Sequence, residues 1–222
     1  MPLLDGPRLD THSGNPAKSL VVFLHGYGAD GSDLIAIGSQ LAPLLPDTAF
    51  VAPNAPERCA MSPVGYQWFP LTMRDPTEYE LGVEQATPIL TAFLNAELER
   101  YGLTHQSVAL VGFSQGTMMA LHVGPRMASA LAGIVGFSGL LAAPGALAAD
   151  AKSKPPVLLI HGDQDEVLPI DFLPLAVNGL KAAGFSVEAH VSQGLGHGID
   201  AEGLALGARF LVDKLSIAAS DS

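Results

Sequence analysis

A serine lies between two glycines in the run Gly112-Phe113-Ser114-Gln115-Gly116. The run follows an apolar segment typical of a strand and directly precedes a segment of helical character, a context in which a sharp turn exposes the serine hydroxyl. Glycines on both sides remove side chains that would clash where such a turn is tightest. A serine hydroxyl exposed in this way can attack a carbonyl carbon, so the pattern predicts Ser114 as the nucleophile of an acyl transfer.

A near match to this pattern occurs at Ser138, in the run Gly136-Phe137-Ser138-Gly139-Leu140. It lacks the glycine in the fifth position. A stretch rich in Gly, Pro and Ala follows it, where the nucleophile's turn requires a helix. We therefore interpret Ser138 as a structural residue.

A serine hydroxyl is a weak nucleophile unless a base takes its proton, and histidine is the usual base. In proteins with a serine turn of this kind, the catalytic residues follow one another along the chain in the order serine, acid, histidine. This order places the base after Ser114. Four histidines satisfy that order: His122, His161, His190 and His197. His197 lies in a glycine-rich loop between the last predicted strand and the last predicted helix, from which a side chain can reach back over the sheet edge. We predict His197 as the base.

The acid that orients the base is expected in the loop after an earlier strand. The loop 161–169 carries three carboxylates: Asp163, Asp165 and Glu166. Glu166 would point away from the other two if the segment is extended. Position alone leaves Asp163 and Asp165 as alternatives, and the carboxylates that are not used would cap the next helix or face water.

The negative oxygen that develops during acyl transfer requires two backbone N–H donors, an oxyanion hole. The turn at the serine supplies one of them, from Gln115. We expect the second from Tyr27, because glycines on both sides of it, in Leu24-His25-Gly26-Tyr27-Gly28, let the backbone approach a substrate. We interpret His25 and His161, each followed by glycine at a strand end, as buried histidines that brace these loops.

Short apolar runs rich in β-branched residues alternate along the chain with longer segments of helical period. The predicted strands are 19–25, 48–52, 107–111, 132–137, 157–161 and 186–191. The predicted helices are 32–45, 78–99 with a kink at Pro88, 115–123, 171–183 and 199–215. Strands that are apolar on nearly every residue, separated by helices, indicate an α/β fold with a mostly parallel central sheet and helices on both faces. Ligands bind at the carboxyl ends of such strands.

Composition and charge exclude several classes of protein. Hydrophobic residues make up 48% of the 222 residues and charged residues 15%, which is unlike a disordered chain. The net charge of −11 would repel phosphate backbones and anionic bilayers, so no nucleic-acid partner is expected. No repeat or low-complexity linker divides the chain, and we expect a single domain over residues 1–222.

The location of the protein is predicted from its first residues and its one cysteine. The N-terminus lacks the basic start and apolar run of a signal peptide, and Cys59 permits no internal disulfide, so we expect a cytoplasmic protein. Two stretches without Asp, Glu, Lys or Arg, residues 101–125 and 127–149, are long enough to span a bilayer. Both are broken by Gly, Pro and polar residues, which argues against stable membrane insertion. The histidines show no metal-ligand spacing, and we expect neither a metal nor a cofactor.

These residues resemble the phospholipase/carboxylesterase family of α/β-hydrolases, which includes the acyl-protein thioesterases and small bacterial carboxylesterases. The matching segments are colinear and span most of the chain: Phe23-Leu24-His25-Gly26-Tyr27-Gly28 followed by Asp30, Ala52-Pro53-Asn54-Ala55-Pro56, Trp68-Phe69, Gly112-Phe113-Ser114-Gln115-Gly116, His161-Gly162-Asp163-Gln164-Asp165 with Pro169, and Gly196-His197. The first glycine-flanked serine run together with H-G-x-x-D is much more specific than a generic catalytic triad.

The resemblance implies the α/β-hydrolase fold and a carboxylesterase that works through an acyl-enzyme intermediate without a cofactor. It selects Asp165 as the acid, with Ser114 as nucleophile, His197 as base, and the N–H groups of Tyr27 and Gln115 as the oxyanion hole. The expected partner is a small-molecule ester or thioester, and a homodimer is allowed. The alternatives are an acyl-protein thioesterase or lysophospholipase and, from another class, a catalytically silent scaffold used for binding.

Two features bear on the substrate. Thr117 follows the serine run where the family usually has glycine, and the base lies in a G-L-G-H-G loop instead of the commoner methionine-containing loop; both are expected to reshape the acyl pocket. The proline-punctuated loop 57–77, which includes Trp68, Phe69 and Met73, is either a lid or acyl-binding wall or a packed cover over the core. We predict that Trp68, Phe69 and Met118 contact the acyl chain, which favours short to medium chains.

Overall fold

The computed structural model describes residues 4–72, 75 and 77–220. Met73 and Pro76, which belong to the predicted aromatic loop, lie outside the described residues. The strands are β1 (Arg8–Leu9), β2 (Ser19–Leu24), β3 (Thr48–Val51), β4 (Glu57–Arg58), β5 (Tyr66–Gln67), β6 (Val108–Phe113), β7 (Gly133–Phe137), β8 (Val157–Gly162) and β9 (Val187–Ser192). The helices are α1 (Gly31–Leu41), α2 (Thr77–Tyr101), α3 (Gln115–Val123), α4 (Pro144–Asp150), α5 (Phe172–Ala182) and α6 (Ala201–Ser220).

Seven strands form one sheet in the order β1-β3-β2-β6-β7-β8-β9. Only the short strand β1 at its edge is antiparallel to its neighbour, and the other pairs are parallel. The register places Leu24 of β2 opposite Gly112 of β6, and Phe113 of β6 opposite Phe137 of β7. The predicted mostly parallel central sheet is confirmed, and β4 and β5 form a separate antiparallel hairpin.

The apolar residues of the strands alternate between two faces of the sheet, as the period of two requires. In β2, Leu20, Val22 and Leu24 belong to one core cluster, whereas Val21 and Phe23 belong to the other. Helices α2, α3 and α5 pack on the first cluster, and α1 and α6 on the second. Helices therefore cover both faces, and the polar loops after the strands collect at one edge. Within the described residues no helix combines the length and the apolar character needed to cross a membrane.

The predicted elements match the structure within a few residues, and the main differences have local causes. Helix α1 ends at Leu41, four residues before its predicted end, because Pro43 has no N–H to continue the helical hydrogen bonds. Helix α2 continues through Pro88 without a break. Strands β1, β4 and β5, of two residues each, and the short helix α4 are additional. Two-residue strands carry too little alternation to be seen in a sequence.

Candidate active site

Ser114 is the only residue between β6 and α3, and its backbone has the strained conformation expected of a nucleophile's turn. Its φ of 54° and ψ of −116° lie where residues other than glycine are uncommon. A Cβ added at Gly116 would overlap the carbonyl oxygen of Leu24, and one at Gly112 would lie 2.5 Å from the nitrogen of Thr117. The two glycines are thus required by close backbone approach, as the sequence predicted.

Asp165 and His197 form a hydrogen-bonded pair at the same edge of the sheet. His197 Nδ1 lies 2.7 Å from Asp165 Oδ2. The other carboxylate oxygen of Asp165 accepts the N–H groups of Val167, at 2.9 Å, and Leu168, at 2.8 Å. The Asp165 side chain is fully buried, whereas 18% of the His197 side chain is exposed. The buried carboxylate therefore orients the imidazole through Nδ1, while part of the ring stays accessible to solvent.

Asp163, the alternative acid, has a different partner. Its Oδ1 accepts the N–H of Gly194 at 2.6 Å, in the same loop that carries His197. Asp163 therefore ties the two loops together, while Asp165 meets the imidazole. The structure distinguishes the two carboxylates that sequence position had left open.

The loop that carries Ser114 and the loops that carry His197 and Tyr27 meet at this edge. The Phe113 ring, next to the nucleophile, lies 5.0 Å from the imidazole of His197 between ring centroids. A Cβ added at Gly26 would lie 3.3 Å from the Cβ of Ser114. The backbone before Tyr27 thus passes directly beside Ser114. Gln115 begins α3, where the first N–H groups of a helix have no helical partner.

The segment that follows β5 is hydrogen-bonded to Gln115, at the start of α3, and to the loop that carries Tyr27. The Gln115 side chain accepts the N–H of Trp68 at 2.9 Å and donates to the carbonyl of Phe69 at 2.8 Å. The indole N–H of Trp68 donates to the carbonyl of His25 at 3.0 Å. Nearby, the N–H of Gly28 donates to the carbonyl of Tyr66 at 2.8 Å. These contacts fix the loop that carries Tyr27 relative to the start of α3, and nothing in the sequence signals them.

His25 and His161 are buried and hydrogen-bonded, in agreement with their interpretation as loop braces. His25 Nε2 accepts the N–H of Ala55 at 3.0 Å, which requires the neutral ring, and burial lowers the pKa of His25. His161 Nε2 lies 2.8 Å from the carbonyl of Leu168 and 3.3 Å from Asp165 Oδ2. Since a carbonyl can only accept, this nitrogen carries a proton and steadies the acid loop.

A model of the phospholipase/carboxylesterase family matches residues 11–214. The chain belongs to this family. Its members are ester hydrolases, and the chain is accordingly a serine hydrolase that acts on esters, the reaction class that the sequence predicted. The expected α/β-hydrolase fold is confirmed in the same way.

Individual relatives agree with the family. The chain is 30% identical to the esterase YpfH of Escherichia coli (strain K12) over 188 residues, covering 83% of this chain and 78% of that protein. It is 29% identical to acyl-protein thioesterase 1 of Saccharomyces cerevisiae over 222 residues, covering 90% and 95%. The crystal structure of esterase PE8 superposes with a TM-score of 0.93 at 48% identity, covering 96% of this chain and 100% of that one.

The residues predicted to contact the acyl chain lie in the core. Trp68, Phe69 and Met118 have exposed fractions of 2%, 1% and 1%. Phe69 packs so closely on α2 that a Cβ at Gly82 would overlap its ring. A substrate would reach these side chains only if their neighbours moved, and their role as substrate contacts stays a prediction.

The side chain of Tyr27 also has a partner that the sequence did not indicate. It pairs with Cys59, the residue after β4, and burial together with this contact raises the pKa of Tyr27 to about 12. The free cysteine is itself buried. The phenol therefore stays protonated near neutral pH.

Proposed function

We propose that this family member is a carboxylesterase whose catalytic triad is Ser114, His197 and Asp165. The observation that carries the proposal is the 2.7 Å contact between His197 Nδ1 and Asp165 Oδ2, beside the strained turn of Ser114. The substrates are carboxylic esters of short to medium acyl chain.

In the first half-reaction, Ser114 Oγ attacks the acyl carbonyl carbon while His197 Nε2 takes the hydroxyl proton. Asp165 accepts the Nδ1–H and stabilises the imidazolium that forms. Its other oxygen accepts the backbone N–H groups of Val167 and Leu168, which hold the carboxylate in place. The carbonyl oxygen becomes an oxyanion, which accepts the N–H groups of Tyr27 and Gln115.

The tetrahedral intermediate collapses when the C–O bond to the leaving alcohol breaks. His197 gives its proton to that oxygen, and the acyl group stays on Ser114 as an ester. Water then attacks the acyl-enzyme carbonyl, again losing a proton to His197 Nε2. Collapse of the second intermediate releases the carboxylic acid and returns the proton to Ser114.

A thioester substrate is the second candidate, favoured by the 29% identity to acyl-protein thioesterase 1 of Saccharomyces cerevisiae. The triad chemistry is the same for a thiolate leaving group, so the pocket decides between the two. A lysophospholipid is also an ester that the same triad chemistry can cleave, so the pocket again decides whether it is a substrate. No member of the proposed triad is replaced in the sequence, which argues against a silent scaffold.

The proposal is tested by measuring kcat/KM for matched hexanoyl substrates: a p-nitrophenyl ester, a thioester and a lysophospholipid. We expect the ester to be the best substrate and Ser114→Ala to abolish all three activities. A kcat/KM for the thioester at least about tenfold higher than that for the ester would reassign the substrate class but keep the triad. The cytoplasmic location, single domain and homodimer stay predictions.

A further inference from the structure

Two residues other than glycine have left-handed φ angles in the part of the chain that the structure describes: Ser114, at 54°, and Ser138, at 45°. They stand directly after Phe113 and Phe137, which are paired residues of β6 and β7. Ser138 is fully buried. A strained, buried polar residue beside a reaction centre points to a functional constraint, because such strain persists only where the surroundings impose it.

The segment that contains Ser138 holds the nucleophile's turn. The carbonyl of Phe137 accepts the N–H of Ser114 at 2.9 Å and the hydroxyl of Thr117, also at 2.9 Å. A Cβ added at Gly136 or Gly139 would overlap the Thr117 side chain. The glycines of the second serine run therefore make room for Thr117, the residue that follows the first run.

The same segment reaches the loop of the base. Ser138 Oγ donates to the carbonyl of Gly198 at 3.1 Å, and Gly198 directly follows His197. The N–H of Ser138 donates to the carbonyl of Ile160 in β8 at 2.8 Å, which fixes the serine to the sheet. Ser138 thus connects the rigid sheet with a loop that has no helix or strand of its own around His197.

We propose that Ser138 is a positioning residue that holds His197 at its working distance from Ser114. The contact with Asp165 restrains one ring nitrogen of His197, and the bond to Gly198 restrains the backbone that carries the ring. Loss of the hydroxyl leaves the Gly198 carbonyl without this donor and lets the loop shift. A displacement of about 1 Å in a reacting group can cost a large part of the rate. This inference rests on the proposed roles of Ser114 and His197.

Two substitutions separate the hydroxyl from the backbone conformation. Ser138→Gly removes the hydroxyl and accepts a positive φ without strain, whereas Ser138→Ala removes the hydroxyl and keeps the Cβ. We expect both to lower kcat about tenfold, since both release the loop. KM should stay within about twofold, because Ser138 does not touch substrate. Ser138→Cys keeps a weaker donor and should give an intermediate kcat.

Ser19→Ala is the matched control. Ser19 is also a buried serine, and its hydroxyl lies 2.7 Å from that of Thr48, but it begins β2 at the opposite edge of the sheet. We expect this variant to lower Tm as the Ser138 variants do and to keep the wild-type kcat.

A spectroscopic signal reports the position of His197 without depending on turnover. In protein with ¹⁵N-labelled histidine, the Nδ1–H proton shared with Asp165 should give a downfield resonance. We expect it to broaden or shift in Ser138→Gly and to be unchanged in Ser19→Ala. Wild-type kcat and an unshifted resonance in the folded Ser138 variants would overturn the inference. Ester hydrolysis that survives Ser114→Ala would instead overturn the proposed function, and the resonance tests Ser138 in either case.

Discussion

The carboxylate of Asp165 divides its two oxygens between His197 and the backbone of its own loop. One oxygen lies 2.7 Å from the imidazole, and the other accepts the N–H groups of Val167 and Leu168. The backbone donors fix the carboxylate before any substrate arrives. In the proposed mechanism, the imidazole is therefore preorganised for proton transfer, with its Nε2 left for Ser114.

This division predicts different effects for the two aspartates of the loop. Asp165→Asn should lower kcat about 10³- to 10⁴-fold, because the imidazole loses its tautomer and charge support. Asp163→Asn should lower kcat much less, since Asp163 Oδ1 accepts the backbone N–H of Gly194 and it is Asp165 that meets the imidazole. The two kcat values, measured on one ester, check the assignment. The opposite order would move the acid to Asp163.

The hydrogen bonds of Trp68 predict a role in the oxyanion hole rather than in acyl recognition. Trp68→Phe removes the indole N–H that donates to the His25 carbonyl and keeps an aromatic ring. We expect kcat to fall about tenfold for all acyl lengths, because the loop beside Ser114 loosens. For the wild type, kcat/KM should rise from acetyl to hexanoyl esters, in line with about 0.8 kcal/mol per buried methylene.

A p-nitrophenyl ester series from acetyl to decanoyl, run on both proteins, separates the two roles of Trp68. Parallel profiles support positioning of the oxyanion loop. A loss confined to the longer esters would instead make Trp68 a substrate contact, as the sequence suggested.

His122 predicts how stability depends on pH. Burial, aided by the positive charge of Arg126, lowers the pKa of His122 to about 4. The unfolded chain, with an ordinary histidine pKa of about 6.5, binds the proton more readily between these values. The free energy of unfolding should therefore fall as the pH drops from about 6.5 to about 4. Below about pH 4, His122 is protonated in both states and adds nothing further to the pH dependence.

Urea unfolding between pH 7 and pH 4.5 measures this slope. His122→Gln should make it shallower but not flat, because burial lowers the pKa of His25 in the same direction. A variant with the full wild-type slope would show that His122 is not the group responsible.

Arg8 of β1 and Glu97 of α2 form an ion pair, and we expect substitution of its two partners to lower the free energy of unfolding by different amounts. Arg8 Nη2 lies 2.7 Å from Glu97 Oε1, and the Glu97 side chain is only 2% exposed against 23% for Arg8. Arg8→Met leaves the buried carboxylate with only the more exposed Arg100, whose Nε lies 3.4 Å from Glu97 Oε1, and should cost about 3 kcal/mol of unfolding free energy. Glu97→Gln should cost less, since Arg8 still reaches Asp5 and water.

Both ion-pair variants are measured by urea unfolding, with kcat as the control for the distant site. We expect kcat to stay at the wild-type value in each. Equal costs for the two substitutions would show that the carboxylate is not the more strongly desolvated partner.

The sequence predicts the sheet and the nucleophile's turn because their signals are local. Continuous apolar runs specify the parallel strands, and glycines at 112 and 116 specify the tight turn at Ser114. The choice between Asp163 and Asp165 required a resemblance to known proteins, since both lie in one loop and only the fold decides which meets His197. The hydrogen bonds that the Ser138 and Trp68 side chains donate were not predictable. They run to backbone carbonyls distant in the chain, and a carbonyl leaves no residue type to recognise.

The proposed role of Ser114 is tested most directly by the site of covalent labelling by a fluorophosphonate, located by mass spectrometry of the intact wild-type protein and its peptides. We expect one adduct, on Ser114. Labelling should be abolished in Ser114→Ala and strongly slowed in His197→Ala, which keeps the nucleophile and removes its base. An adduct on Ser138, or labelling of Ser114→Ala at the wild-type rate, would contradict this role.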